Sequence, residues 1–141
     1  EERVIAESVS VAGIGYLRSD DRDAIPQAAD FLVTEENVHT AIVYGLVQGP
    51  NHKESIIGSL RTSKVTLDPD DFLQGALGKD AAGAPYGGGK NAAGGFQIQV
   101  HFLSGGKGEE FKQLKWRTFD AQIKQKIFDK IGFDSSDGER E

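Results

Sequence analysis

The residues best suited to chemistry lie in Tyr86-Gly87-Gly88-Gly89-Lys90-Asn91-Ala92-Ala93-Gly94-Gly95. Three successive glycines let a backbone take positive φ and bring bare N–H groups up to a ligand. Ala92-Ala93 is expected to form a short helical turn, whose N-terminus attracts anions, and Lys90 adds a cation at the rim. Together these suit a phosphate or phosphodiester. The segment is not a Walker loop, because Ala84 stands where the first glycine belongs and Asn91 where Ser or Thr would meet magnesium. From spacing alone, a glycine-rich connection with no ligand stays open beside phosphate binding.

A second candidate is Ser59-Leu60-Arg61-Thr62-Ser63. Strand alternation places Ser59, Arg61 and Ser63 on one face. Arg61 can grip a phosphate with two parallel N–H bonds, and the hydroxyls add donors. The competing reading is a strand-edge arginine paired with an aspartate. His101, in a strand that could approach the glycine motif, is a weaker candidate for the same site.

Other chemistry is excluded or explained more simply. His39, His52 and His101 lie in three different elements with no ligand spacing, so no metal site is expected in this chain. Asp20-Asp21-Arg22-Asp23 and Asp68-Pro69-Asp70-Asp71 miss the calcium-loop spacing and fit helix starts. Gly13-Ile14-Gly15 lacks the third glycine of a dinucleotide fingerprint and suits a strand packed closely on a neighbour. No serine or threonine sits in a nucleophile elbow, so no catalytic residue is assigned. Trp116 and Phe119 beside Lys112, Lys115 and Arg117 could stack on a single strand of nucleic acid, but at helical spacing such aromatics usually belong to a core.

These residues need elements to hold them. Segment 8–17 is rich in β-branched residues and reads as a strand; Ile25, Ala28, Ala29, Leu32 and Val33 recur at helical spacing, which predicts a helix over 22–34. The nearly unbroken apolar run 39–47 suits a strand covered on both faces, and Gly49-Pro50-Asn51 turns it into a returning strand over 55–61. Asp68 caps, and Pro69 opens, a short helix ending at Leu77. Segment 96–102 alternates as a half-buried strand. The longest predicted helix runs over 109–131 with Phe111, Leu114, Phe119, Ile123, Ile127 and Ile131 as one apolar stripe. Residues 132–141 form a polar tail, expected to be disordered. The order β-α-β-β-α-β-α predicts a single α/β domain with a mixed sheet flanked by helices.

Composition agrees with that class. The 141 residues are 38% hydrophobic and 27% charged, enough for one domain with its own core. No apolar stretch is long enough to cross a bilayer, so no membrane partner is expected. Cysteine is absent, which excludes disulfides and thiolate chemistry and suits a reducing cytoplasm. Methionine is absent too, so the sequence reads as a piece of a longer protein. The net charge of −6 argues against a general DNA-coating protein. Segment 112–130 nevertheless carries six bases against two acids, most simply a solvated helix face.

Taken in order, the Ser59-Leu60-Arg61 strand, the acidic-started helix over 67–77 and the glycine motif ending in Ala-Ala-Gly resemble the DHH-associated substrate-binding domain of DHH-family phosphoesterases. That group includes RecJ-type exonucleases, nano-RNases and exopolyphosphatase-like proteins. Segments 21–32 and 38–44 are similar to archaeal members, and the resemblance covers about 4–103. It implies that residues 1–131 hold the phosphates of a short single-stranded oligonucleotide or nucleoside bisphosphate. Ser59, Arg61, Gly87, Gly88, Gly89, Lys90, Ala93 and Gly94 would form the site. It also implies an N-terminal DHH domain of the same protein that binds Mn2+ and hydrolyses the phosphodiester, leaving this chain inactive by itself and without a cofactor. The family usually places histidine after the three glycines, and Lys90 stands there. Lysine is a fixed cation, so a proton-donating role at that position is put in doubt.

Two further readings differ in class or substrate. One is a non-catalytic oligomerisation or regulatory module, with the amphipathic helix over 109–131 as its partner surface and a second copy of the chain as a candidate partner. The other keeps the enzyme class but takes inorganic polyphosphate or pyrophosphate.

Overall fold

The computed structural model describes residues 2–136. Six strands form one mixed sheet in the order β1-β2-β3-β4-β6-β5. They are β1 (Glu2–Ala6), β2 (Val9–Arg18), β3 (Thr40–Gln48), β4 (Glu54–Thr62), β5 (Gly87–Lys90) and β6 (Ala93–Gln99), with helices α1 (Ala24–Leu32), α2 (Pro69–Leu77) and α3 (Glu109–Ser136). β2 and β3 are parallel, joined through α1, and every other neighbouring pair is antiparallel. The predicted mixed α/β domain is therefore present, with two strands added to the expected order. β1 precedes the first predicted strand and makes a hairpin with it through Glu7 and Ser8, both at positive φ. β5 is formed by the glycine motif itself.

Apolar residues sort by strand face. Val11, Ile42, Tyr44, Leu46, Ile56, Leu60 and Phe96 meet Phe72 and Leu73 of α2 and Ile123, Ile127 and Ile131 of α3. On the other face Ala12, Val43 and Val47 meet Ile25 and Ala29 of α1. β3 is buried along almost its whole length, as its continuous apolar run requires. Gly13 fits its expected role: a Cβ there would come within 2.7 Å of the Trp116 ring, so α3 crosses β2 at that point. Trp116 and the half-buried Phe119 pack on the main core, the ordinary reading of aromatics at helical spacing.

α3 departs from its predicted stripe. Ile123, Ile127 and Ile131 are buried, whereas Phe111 and Leu114 are 47% and 56% exposed. Polar contacts help Trp116 and Phe119 to hold the first half of the helix. Lys115, expected on a basic outer face, is buried; its Nζ donates to Glu54 Oε1 at 2.6 Å and to the Leu103 and Gly105 carbonyls at 2.9 and 2.6 Å. The Tyr44 hydroxyl donates to the Asp120 carboxylate, which also pairs with Lys124 at 3.2 Å. These contacts draw Lys115 and Lys124 out of the expected basic face. The helix continues to Ser136, beyond the predicted end at 131. The rest of the predicted tail, 137–141, lies outside the described residues.

Candidate functional site

Sheet register decides which candidate residues meet. β4 pairs with β6 so that Ser59 lies opposite Gly95 and Arg61 opposite Ala93. β6 pairs with β5 so that Gly95 lies opposite Gly88 and Ala93 opposite Lys90. Residues directly opposite one another point to the same face. Two rows therefore cross three strands, Ser59–Gly95–Gly88 and Arg61–Ala93–Lys90. Strands sit about 4.8 Å apart, so the Arg61 and Lys90 backbones stand roughly 10 Å apart. Between them the floor carries only an alanine methyl. Segment 88–95 forms an open shelf rather than an enclosed cavity.

The glycines themselves are used differently from the expectation. None of Gly87, Gly88 and Gly89 is at positive φ; they are extended and paired in β5. Ala93 belongs to β6, so no helical turn follows the glycines. The chain instead reverses at Asn91, φ 57°, and Ala92. Close packing is the reason for glycine at two positions. A Cβ on Gly94 would lie 3.0 Å from Leu73 Cδ1 and 3.2 Å from Pro69 Cβ, and one on Gly87 would lie 2.7 Å from Phe96 Cβ. The hairpin can lie against α2 only because these side chains are missing.

Carboxylates already occupy two donors of the site. Asp68 caps α2 as predicted, accepting from the Asp70 amide at 3.0 Å. Asp70 in turn reaches β5, where its Oδ1 accepts from the Gly89 amide at 3.2 Å while its Oδ2 accepts from Gln74 Nε2 at 2.9 Å. Arg61 points towards α1. Its Nε donates to Asp30 Oδ1 at 2.8 Å and one terminal nitrogen donates to the Leu60 carbonyl at 3.0 Å. The aspartate pairing weighed for Arg61 from the sequence is thus present. Sequence reasoning identified neither Asp30 nor Asp70 as a partner, since β3 and its turn separate Asp30 from Arg61, the rest of α2 and the 78–86 connection separate Asp70 from Gly89, and no spacing rule links them.

Ser63 falls one residue past the end of β4, where its amide donates to the His39 carbonyl at 2.8 Å, in register with the Thr40–Thr62 pair. His101 follows the far end of β6, beside Asn51, His52 and Gln99. Six strand residues, about 20 Å, separate that end from Ala93. The histidine nearest the Arg61 end of the sheet is His39, because Thr40 pairs with Thr62 and Ala41 with Arg61.

His39 lines a cleft of about 540 Å³ with Lys64, Leu67, Asp71, Phe72 and Lys130 among its walls. The Thr62 hydroxyl donates to the His39 carbonyl at 3.1 Å. It therefore accepts from Thr40 at 2.7 Å, and Thr40 accepts from His39 Nδ1 at 2.7 Å. Burial, aided by the Lys64 cation, lowers the His39 pKa and favours the neutral ring. The cleft contains none of Arg61, Lys90 or the three glycines. Among the described residues no three His, Cys, Asp or Glu side chains are grouped to hold a metal ion, and no helix is long and apolar enough to cross a membrane.

No protein-family model matches the chain. The chain is similar to the uncharacterized protein MJ1633 of Methanocaldococcus jannaschii, at 29% identity over 130 residues. That alignment takes in 92% of this chain and 23% of the relative, so the chain spans about a quarter of the length of the curated relative it matches.

Proposed function

We propose that the chain is the substrate-binding domain of a DHH-type phosphoesterase, holding the phosphates of a short oligonucleotide or nucleoside bisphosphate. The observation that carries this reading is the Arg61–Ala93–Lys90 row: two cations at the ends of a floor almost bare of side chains. A phosphate over Ala93 would be met from both sides, and a sugar or base could lie beside it over Gly95, since the Asp70 carboxylate stands over Gly88. The grip comes from side chains rather than from a cradle of amides, because Asp70 holds the Gly89 N–H. On the DHH resemblance, Mn2+ would be held by an N-terminal domain of the same protein. There it would activate the attacking water; this chain's share is to fix the phosphate, and positioning alone can supply a large part of a rate enhancement. The cytoplasm is the proposed compartment.

Titration of this chain with a 5′-phosphorylated dinucleotide tests the reading. Charge-assisted hydrogen bonds contribute roughly 1.5–3 kcal/mol each, so Arg61→Ala and Lys90→Ala should each lose about tenfold or more of a weak, salt-sensitive affinity. Affinity unchanged in both variants would discard the reading. If pyrophosphate binds as well as the dinucleotide, the substrate is the inorganic chain.

A second reading is favoured by one observation. Leu103, Phe111 and Leu114 are exposed apolar residues at and before the start of α3. They suit the contact surface of a regulatory or oligomerisation module. A mass that rises with concentration in sedimentation, with no response to any phosphate, would select it.

A further inference from the structure

The arginine of the proposed site is already engaged by an acid of its own chain. Asp30, on the outer side of α1, accepts from Arg61 Nε at 2.8 Å. Its side chain is 64% exposed while that of Arg61 is 26% exposed. The pair is thus asymmetric, with a half-buried guanidinium fixed by its strand and a solvated carboxylate free to leave. Arg61 is also held by the Leu60 carbonyl, which keeps its stem in place when the carboxylate goes. The other carboxylate of the site differs. Asp70 is anchored by Gln74 as well as by the Gly89 amide, and a Cβ at the adjacent Gly88 would lie only 2.6 Å from its Oδ1.

We infer that Asp30 is a built-in competitor for the phosphate: it occupies Arg61 in the empty site and must be displaced when an anionic ligand binds. This rests on the phosphate-binding reading of the Arg61–Lys90 row and concerns its regulation. The competitor has two consequences. It lowers the apparent affinity by the fraction of time Arg61 is engaged, and it discriminates against weakly charged ligands that cannot outbid a carboxylate. The energetic scale fits a releasable contact, since exposed ion pairs are weak and screened by salt. Asp70 is the fixed counterpart, excluding the Gly89 amide from the exchange.

The test is a double-mutant cycle on this chain with a 5′-phosphorylated dinucleotide, reading affinity in wild type, Asp30→Asn, Arg61→Ala and the double variant. Asp30→Asn should tighten binding about two- to fivefold, the scale of an exposed ion pair, and the gain should vanish in the Arg61→Ala background. In addition, the Arg61 Nε–H resonance should move in the same direction on adding dinucleotide to wild type as on introducing Asp30→Asn without ligand, with no change in melting temperature beyond a few degrees. If Arg61→Ala loses affinity but Asp30→Asn gains none, the competitor is overturned and the phosphate site stands. A gain that persists without Arg61 is a general charge effect and also overturns it. If Arg61→Ala changes nothing, the competitor is overturned, and the phosphate reading then stands or falls with Lys90→Ala.

Discussion

A cation that reaches a phosphate must first be free to do so, and the two basic residues of the row differ in this respect. Lys90 stands exposed at the end of β5, whereas Arg61 is shared with Asp30. The loss on Lys90→Ala should therefore depend on salt more steeply than the loss on Arg61→Ala, whose partner is partly shielded. Single glycines are equally specific in their demands. The buried Phe96 ring lies directly over Gly58 across the β4–β6 pair, and Gly58 has no room for a Cβ. Gly58→Ala should push the ring off its seat and cost about 1–3 kcal/mol, read as a lower urea midpoint at unchanged m-value. Gly95, one residue beyond Gly94 in β6, is less crowded, with its nearest neighbour for a Cβ at 3.3 Å, so Gly95→Ala should be milder.

Elements are joined here by polar ties as well as by apolar burial. The N-terminal half of α3 exposes Phe111 and Leu114 yet stays on the sheet, because Lys115 reaches Glu54 at the start of β4 and two carbonyls of the 103–105 connection. Both charged partners are nearly excluded from water. Removing one leaves the other charge buried and unpaired, which typically costs about 3–5 kcal/mol. Lys115→Met is expected to fall in that range, measured by denaturant unfolding. Glu54→Gln with Lys115→Met should recover part of the loss, since replacing both charges removes the unpaired one. The Tyr44–Asp120 contact ties the middle of the same helix; burial and the carboxylate together raise the Tyr44 pKa, so its hydroxyl remains a donor through the alkaline range.

For the whole molecule, stability should carry a signature of His39. Its pKa is lowered in the folded state by burial and by Lys64, so the unfolded chain takes up a proton at a higher pH than the folded one. Between those two pKa values the unfolded state binds more protons, and stability rises with pH. Acidifying below about 6.5, the ordinary histidine value, should therefore weaken the fold until the folded-state pKa is passed. A proton NMR titration of His39 should give a midpoint below that value, and His39→Gln should flatten the stability slope in this window. A midpoint at the ordinary value would remove the effect, and one above it would reverse the sign.

Sequence alone determined the parts governed by local physics. Alternation and apolar runs located β2, β3, β4 and β6, helical spacing located α1, and Asp68-Pro69 located the start of α2, because each signal is carried within a few residues. The mixed α/β class followed from their order. Tertiary structure decided what depends on neighbours distant in the chain. Three glycines became an edge strand because β6 supplied a ladder and α2 supplied a surface, overriding a weak strand propensity. Arg61, Ala93 and Lys90 came into one row through register, which no single segment encodes. Asp30, Asp70 and Glu54 found their partners only when α1, α2 and the end of the β3–β4 hairpin were packed in place. A carboxylate's partner is set by distance in space, and sequence spacing reports that distance only within one element.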